Sequence, residues 1–234
     1  MNFENRTVLV TGAAGNLGRA VAVTFARSGA NLVLVDRAHE ALEGDFGVDE
    51  ERRLLLAADL LDPASVDAAV ATALRRFGQI DVLCNIAGGF RMGEAVHETS
   101  DATLDVLLDL NVRTLLHAVR AVVPHMLEGR GGKIVNVGAA AAQHGVARMG
   151  AYCAAKDAVI RLTEAMAAEL REQAINVNCV LPSIIDTPEN RAAMPEADPR
   201  RWVEPAALAD VVLFLASDAA RAVHGAAVPV RGLS

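Results

Sequence analysis

Tyr152 and Lys156 stand four residues apart, in a stretch that reads as helix from about Met149 to Glu172, so both side chains leave one face of that helix. A phenol is too weak an acid to exchange protons freely near pH 7. An ammonium group beside it stabilises the phenolate and lowers the phenol's pKa. The pair therefore predicts a general acid/base that gives a proton to an organic substrate or takes one away. The alternative is an exposed helical pair with no part in chemistry. Tyr152 is the only tyrosine in the chain.

A second constellation lies at Thr11-Gly12-Ala13-Ala14-Gly15-Asn16-Leu17-Gly18. Small residues let the backbone turn sharply and approach a pyrophosphate, and the helix that opens at Asn16 offers free amides and a favourable dipole. Glycine in a tight strand-to-helix turn is weak evidence alone; its place directly after the first predicted strand strengthens it. Asp36 ends the second predicted strand, 18 residues after Gly18. A carboxylate there accepts hydrogen bonds from a ribose diol and repels the extra phosphate of NADP(H), which favours NAD(H). Arg37 could meet that phosphate, so NADP(H) stays open, and Asp36 could also be a helix N-cap.

These residues need a scaffold. Predicted strands are Thr7–Thr11, Asn31–Asp36, Arg53–Ala58, Ile80–Ile86, Lys133–Val137, Ile175–Leu181 and a short Ala227–Val230. Predicted helices are Asn16–Ser28, Pro63–Phe77, one long helix from about Ser100 to Glu128, Met149–Glu172 and Pro205–Ser217. Ala139–Ala142 reads as loop, and so does Pro182–Val203. Continuous apolar strands alternating with helices mean a sheet covered on both faces. The expectation is α/β: a single doubly wound, mainly parallel, seven-stranded Rossmann-like sheet over residues 1–234, with 182–203 a substrate lid within it.

Composition narrows the function classes. The 234 residues are 53% hydrophobic and carry a net charge of −7, enough for a sizeable core and unsuited to nucleic acid or an anionic membrane. Met1–Arg6 is polar, which reads as no signal peptide, and no apolar stretch is long enough to span a bilayer. Cys84, Cys153 and Cys179 show neither metal-ligand spacing nor a disulfide framework. The expectation is a cytoplasmic protein without metal that acts on a small molecule.

Together these motifs resemble the short-chain dehydrogenase/reductase family, from about Arg6 to Gly232. The first turn is similar to its Thr-Gly-x-x-x-Gly-x-Gly signature, with Asn16 at the middle glycine; asparagine tolerates left-handed angles, so binding should survive. Asp59, followed by Leu60, matches its adenine-contacting aspartate. Asn85-Ile86-Ala87-Gly88 resembles its Asn-Asn-Ala-Gly element, Asn111 its catalytic asparagine, and Tyr152-Cys153-Ala154-Ala155-Lys156 its Tyr-x-x-x-Lys motif. The resemblance implies hydride transfer at a nicotinamide, with Tyr152 as acid/base. It also implies Lys156 on the nicotinamide ribose, Asn111 anchoring a water, Pro182 in the cofactor site, and Ile185 and Thr187 touching the carboxamide. It further implies a homo-oligomer, dimer or tetramer, through the helices Ser100–Glu128 and Met149–Glu172.

One position departs from the pattern. The family usually has a serine 13 residues before the tyrosine, and here that residue is Ala139. Losing one hydrogen-bond donor to a reacting oxygen costs about 2.7–4 kcal/mol, roughly 10²–10³ in rate. Gln143 or His144 could compensate from the same loop, and Trp202 could pack on a flat substrate or dock on the body. Gly138-Ala139 is similar to quinonoid dihydropteridine reductases, a branch without that serine. So is the run Leu181-Pro182, Asp186-Thr187-Pro188, Asn190-Arg191, Met194–Asp198 and Trp202. That likeness implies reduction of a quinonoid pterin by NADH. The alternatives are a ketone or 3-oxoacyl thioester reductase or alcohol dehydrogenase of the same family, and a cofactor-binding sensor or scaffold without turnover.

Overall fold

A computed structural model describes residues 1–234. In chain order the elements are β1 Thr7–Thr11, α1 Asn16–Arg27, β2 Asn31–Asp36, α2 His39–Phe46, β3 Arg53–Ala57, α3 Pro63–Phe77, β4 Val82–Asn85, α4 Asp101–Leu108, α5 Thr114–Glu128, β5 Gly132–Val137, α6 Gly150–Leu170, β6 Ile175–Pro182, α7 Pro188–Ala193, α8 Pro205–Ala216 and β7 Ala227–Val230. The seven strands form one sheet in the order β3-β2-β1-β4-β5-β6-β7. Every pairing is parallel, so the expected "mainly parallel" sheet is wholly so.

Helices cover both faces, which is why β1 and β6 are buried at every position. One face packs on α1 and α8 through Leu17, Val21, Phe25, Leu208 and Val212. The other packs on α3, α5 and α6 through Val66, Val70, Leu115, Val122, Val159 and Ile160. The chain reverses direction across the sheet between β1 and β4. Their C-terminal ends, in register at Thr11 and Asn85, flank the crevice where such sheets bind ligands.

Several elements differ from the sequence reading. The long helix Ser100–Glu128 is broken by a π-helical turn at Asp109–Arg113, which separates α4 from α5. Such turns recur at functional sites, and Asn111 sits inside this one. The helix α2 was not expected: its N-cap, Ala38, has no side-chain cap, and only Leu42 is buried, so its sequence signal is faint. The segment Pro182–Val203 is not all loop. Thr187 caps Asn190 N and Pro188 takes the first helical position, so α7 forms there. Ala140–Gln143 closes as a 3₁₀ turn. Strand β4 is shorter than Ile80–Ile86 because pairing with β1 runs only from Val82 to Asn85. No helix is long and apolar enough to cross a membrane.

Candidate active site

The turn between β1 and α1 is held by side chains remote in sequence. Gly12 has φ +64°, and a Cβ there would lie 2.8 Å from Ala87 Cα. A Cβ on Gly18 would lie 2.1 Å from the Gly12 carbonyl oxygen. Only glycine permits this closeness. Thr11 Oγ1 accepts from the amides of Ile86 (3.1 Å) and Ala87 (3.3 Å), stitching the end of β1 to the segment after β4. The amides of Asn16, Leu17 and Gly18 make no backbone hydrogen bond, as the first turn of a helix requires. Asn16 does not use left-handed angles, since the only non-glycine residues with positive φ are Asn5, Arg148 and Ala174. It is the first residue of α1, and its side chain points outward, donating to Glu189 Oε2 at 2.8 Å and accepting from Arg19.

A cavity of about 430 Å³ opens beside this turn, lined by Gly12, Asn16, Leu17, Gly18, Asp36, Arg37, Asp59, Leu60, Ala87 and Gly88. Gly15 and Ile86 of the same two motifs line it as well, and so do Ala58, Leu61, Leu110 and Thr114, which the sequence reading missed. Asp36 is no helix cap; its carboxylate accepts from Ala14 N (3.0 Å) and Arg37 N (2.7 Å), so it faces the turn. Asp59 Oδ1 accepts from Leu61 N, and the Leu60 carbonyl lies 2.8 Å from His117 Nδ1. Free helix amides, a carboxylate at the far wall and glycines without room for a Cβ suit a dinucleotide. Asn85 is buried: its Nδ2 donates to Asn136 Oδ1 (2.8 Å), whose own amide donates to Thr163 Oγ1 (2.8 Å). That chain ties β4, β5 and α6 under the cavity.

At the other end Gly88, Asn111 and Lys156 converge. A Cβ on Gly88 would meet Asn111 Oδ1 at 2.8 Å and Lys156 Nζ at 3.2 Å. Asn111 is buried, and its side chain is committed to backbone: Nδ2 donates to the carbonyls of Gly89 (3.0 Å) and Leu107 (2.9 Å), and Oδ1 accepts from Gly89 N (3.1 Å). It pins the segment after β4 to the π turn, with both amide protons spent on backbone carbonyls. Lys156 donates to the Val137 carbonyl at 2.8 Å, and burial pushes its pKa down to about 8.

Tyr152 differs from the sequence reading. Its phenol is pushed up to about 12, not down, because desolvation dominates. Phe90 packs edge-on against its ring, centroids 4.8 Å apart. Tyr152 forms part of the wall of a second cavity of about 240 Å³, with Arg91, Glu94, Thr99, Thr103, Arg148 and Met149 among its other residues. The two cavities draw on the same segments, 86–88 then 91–94 after β4, and Leu110 then Leu107 one turn back. Tyr152 lines the second cavity, and Lys156, one helical turn on, abuts Gly88 in the wall of the first.

The other candidates are scattered. Ala139 is buried, in extended backbone, within the apolar cluster that holds Ala142 and Leu181, and Tyr152 packs against that cluster. Gln143 accepts from Arg231 at 2.7 Å, and His144 is exposed; neither lines these cavities. Trp202 is buried and lines neither cavity, so it docks on the body. Pro182 ends β6, Ile185 bridges to Val203, and Thr187 caps α7. Ser183 Oγ donates to the Arg231 carbonyl at 2.8 Å, tying the start of this segment to the C-terminus. The Tyr152 cavity could have been sought in the sequence from Arg148 and Met149, which directly precede α6, but Arg91 and Glu94 have no such marker.

Comparison with known proteins agrees with this geometry. The model of the short chain dehydrogenase family matches residues 6–198. The BbsD subunit of (2S)-[(R)-hydroxy(phenyl)methyl]succinyl-CoA dehydrogenase from Thauera aromatica is 36% identical, over 99% of this chain and 97% of that protein. D-threitol dehydrogenase from Mycolicibacterium smegmatis is 34% identical, over 98% and 93%. The solved structure of 3-ketoacyl-(acyl-carrier-protein) reductase from Brucella melitensis complexed with NADH superposes with a TM-score of 0.87 at 32% identity, covering 98% of each chain. The chain belongs to the short chain dehydrogenase family and is a nicotinamide-dependent oxidoreductase of that type.

Proposed function

We propose that this protein is an NAD(H)-dependent dehydrogenase or reductase that interconverts a hydroxyl and an oxo group on a small organic substrate, with Tyr152 as the acid/base. The observation that carries the reading is that Tyr152 lines the smaller cavity while Lys156, four residues on, abuts Gly88 in the wall of the cavity that suits a dinucleotide. The bound nicotinamide supplies or accepts the hydride. Asn16, Leu17 and Gly18 offer their amides to the pyrophosphate, Asp36 its carboxylate to the adenosine ribose, and Asp59 and Leu60 the adenine wall. Asp36 facing the turn supports NAD(H) over NADP(H), because a second phosphate there would meet a carboxylate. Ala87, Gly88 and Lys156 border the nicotinamide ribose; Pro182, Ile185 and Thr187 border the carboxamide, with residues 182–203 as the covering segment.

With its pKa near 12, Tyr152 carries its proton at neutral pH and can donate it to the substrate oxygen during reduction. Oxidation needs the phenolate, which the Lys156 ammonium and the positive charge of oxidised nicotinamide favour. Asn111 positions the strand-end segment through Gly89.

A second substrate class, a quinonoid ring such as a dihydropterin, is favoured by one observation: Ala139 offers no hydroxyl where the family's serine polarises a carbonyl. The test is NADH consumption with ketones, 3-oxoacyl thioesters and quinonoid dihydropterin, with Tyr152→Phe alongside. The variant should lose about 10²–10⁴ in kcat and still bind NADH. Unchanged turnover in the variant would remove Tyr152 from the mechanism, and tight NADH binding without turnover on any substrate would favour a sensor.

A further inference from the structure

We infer that the cavity beside Tyr152 takes a substrate bearing an anionic group, a carboxylate above all, held by Arg91 and Arg148 while Tyr152 serves the hydroxyl or oxo carbon. This rests on the redox reading above and adds a substrate class to it.

Two guanidinium groups line a space of about 240 Å³. Seven arginines elsewhere pair with carboxylates: Arg6 with Asp218, Arg19 with Asp45, Arg53 with Glu50, Arg113 with Asp109, Arg161 with Asp157 and Glu164, Arg191 with Asp186 and Arg200 with Asp198. Arg91 and Arg148 have no such partner. Arg91 makes no hydrogen bond within the protein. Arg148 Nη1 donates to the Gly93 carbonyl at 2.9 Å, and Gly93 N donates to the Arg148 carbonyl at 2.9 Å. These reciprocal bonds hold the two segments that frame the cavity together and leave most of the Arg148 fork free.

The only carboxylate in the lining is Glu94, whose Oε1 accepts from Thr103 Oγ1 at 3.1 Å. Two cations against one anion leave the cavity positive in a chain whose net charge is −7. The α6 helix starts at the same wall, with no side-chain cap and no acidic residue in its first turn, which adds to that potential. Guanidinium N–H groups donate and never accept. A polyol hydroxyl can accept from a guanidinium, but it carries no charge and keeps an O–H proton that the guanidinium cannot accept. An oxyanion brings acceptors alone and matches the planar fork. Met92, Leu107 and Met149 supply an apolar floor for the carbon chain between the anionic group and the reacting carbon.

The experiment compares two substrates of equal chain length, 3-oxobutanoate and 4-hydroxy-2-butanone, in NADH-dependent reduction by wild type, Arg91→Gln, Arg148→Gln and Tyr152→Phe. In parallel, calorimetry measures 3-hydroxybutanoate against 1,3-butanediol on the NADH complex. Arg91 holds nothing in the fold, so Arg91→Gln reports charge alone, and Arg148→Lys keeps the charge but not the fork. The acid should be preferred by about tenfold or more, and each glutamine variant should raise its KM about 10–100-fold with kcat little changed. The neutral ketone should be unaffected by Arg91→Gln, Arg148→Lys should keep part of the acid preference, and added salt should weaken only the acid. Equal binding of acid and diol by the wild type, or equal losses on both substrates in Arg91→Gln, overturns the inference. Turnover insensitive to Tyr152→Phe overturns the redox reading instead, and the calorimetric preference then still decides the anion site.

Discussion

Replacing Ala139 by serine adds one hydroxyl at a position that is only 5% exposed. The backbone there is extended, φ −155° and ψ 146°, which serine adopts without strain. The neighbours in its cluster are apolar, among them Ala142, Ile160 and Leu181, so without substrate the new hydroxyl is short of partners. That costs about 1–3 kcal/mol, and in a chain of this size each kcal/mol lowers Tm by about 2–4 °C. The variant should therefore melt about 2–12 °C lower. With a ketone bound, the hydroxyl faces the charge that develops on oxygen as hydride arrives. One donor so placed is worth about 2.7–4 kcal/mol, so kcat on ketones should rise about 10²–10³-fold. The gain should appear in kcat more than in KM, because the interaction strengthens only toward the transition state. Reduction of a quinonoid ring, with its electron demand spread over a conjugated system, should change by less than about threefold. Steady-state NADH consumption on both substrate types, with calorimetric melting, reads all of this. A folded, NADH-binding variant whose ketone kcat is unchanged would refute the reasoning, since residue 139 would then not face the reacting oxygen.

Gly12→Ala should be more damaging than its size suggests: the left-handed backbone costs about 1–2 kcal/mol, and the new Cβ meets Ala87 Cα at 2.8 Å. Tm should fall by several degrees and NADH affinity by tenfold or more, while Gly44→Ala in α2, with nothing within 4 Å, should be neutral or slightly stabilising; equal effects would disprove the close-approach argument. The buried Lys156 has its pKa lowered to about 8, so its ammonium is present at pH 7 and lost as pH rises. If it holds the nicotinamide ribose, NADH affinity measured by titration should weaken about tenfold from pH 7 to 9, and Lys156→Met should bind weakly with a flat profile; a wild-type profile that is also flat would remove Lys156 from the cofactor site.

What the sequence determines is local. Thr7–Thr11, Asn31–Asp36, Pro63–Phe77 and Ala227–Val230 were legible to the residue, since β-branched runs, the Asp62 cap with Pro63 behind it and the stop at Gly78 act within a few positions. The glycine turn and the Tyr152–Lys156 spacing are equally local, because four residues make one helical face. Tertiary structure decides whatever depends on neighbours brought together by the parallel crossovers. The Tyr152 phenol rises because its surroundings desolvate it, which no spacing to Lys156 reveals. Asn111 spends its side chain on Gly89, 22 residues away, and Gln143 is claimed by Arg231, 88 residues away. Trp202 turns inward, and Arg91 meets Arg148 at one cavity. A parallel sheet sends every strand's C-terminal end to the same edge, so segments far apart in the chain meet there, and local periodicity carries no record of which side chains will face one another.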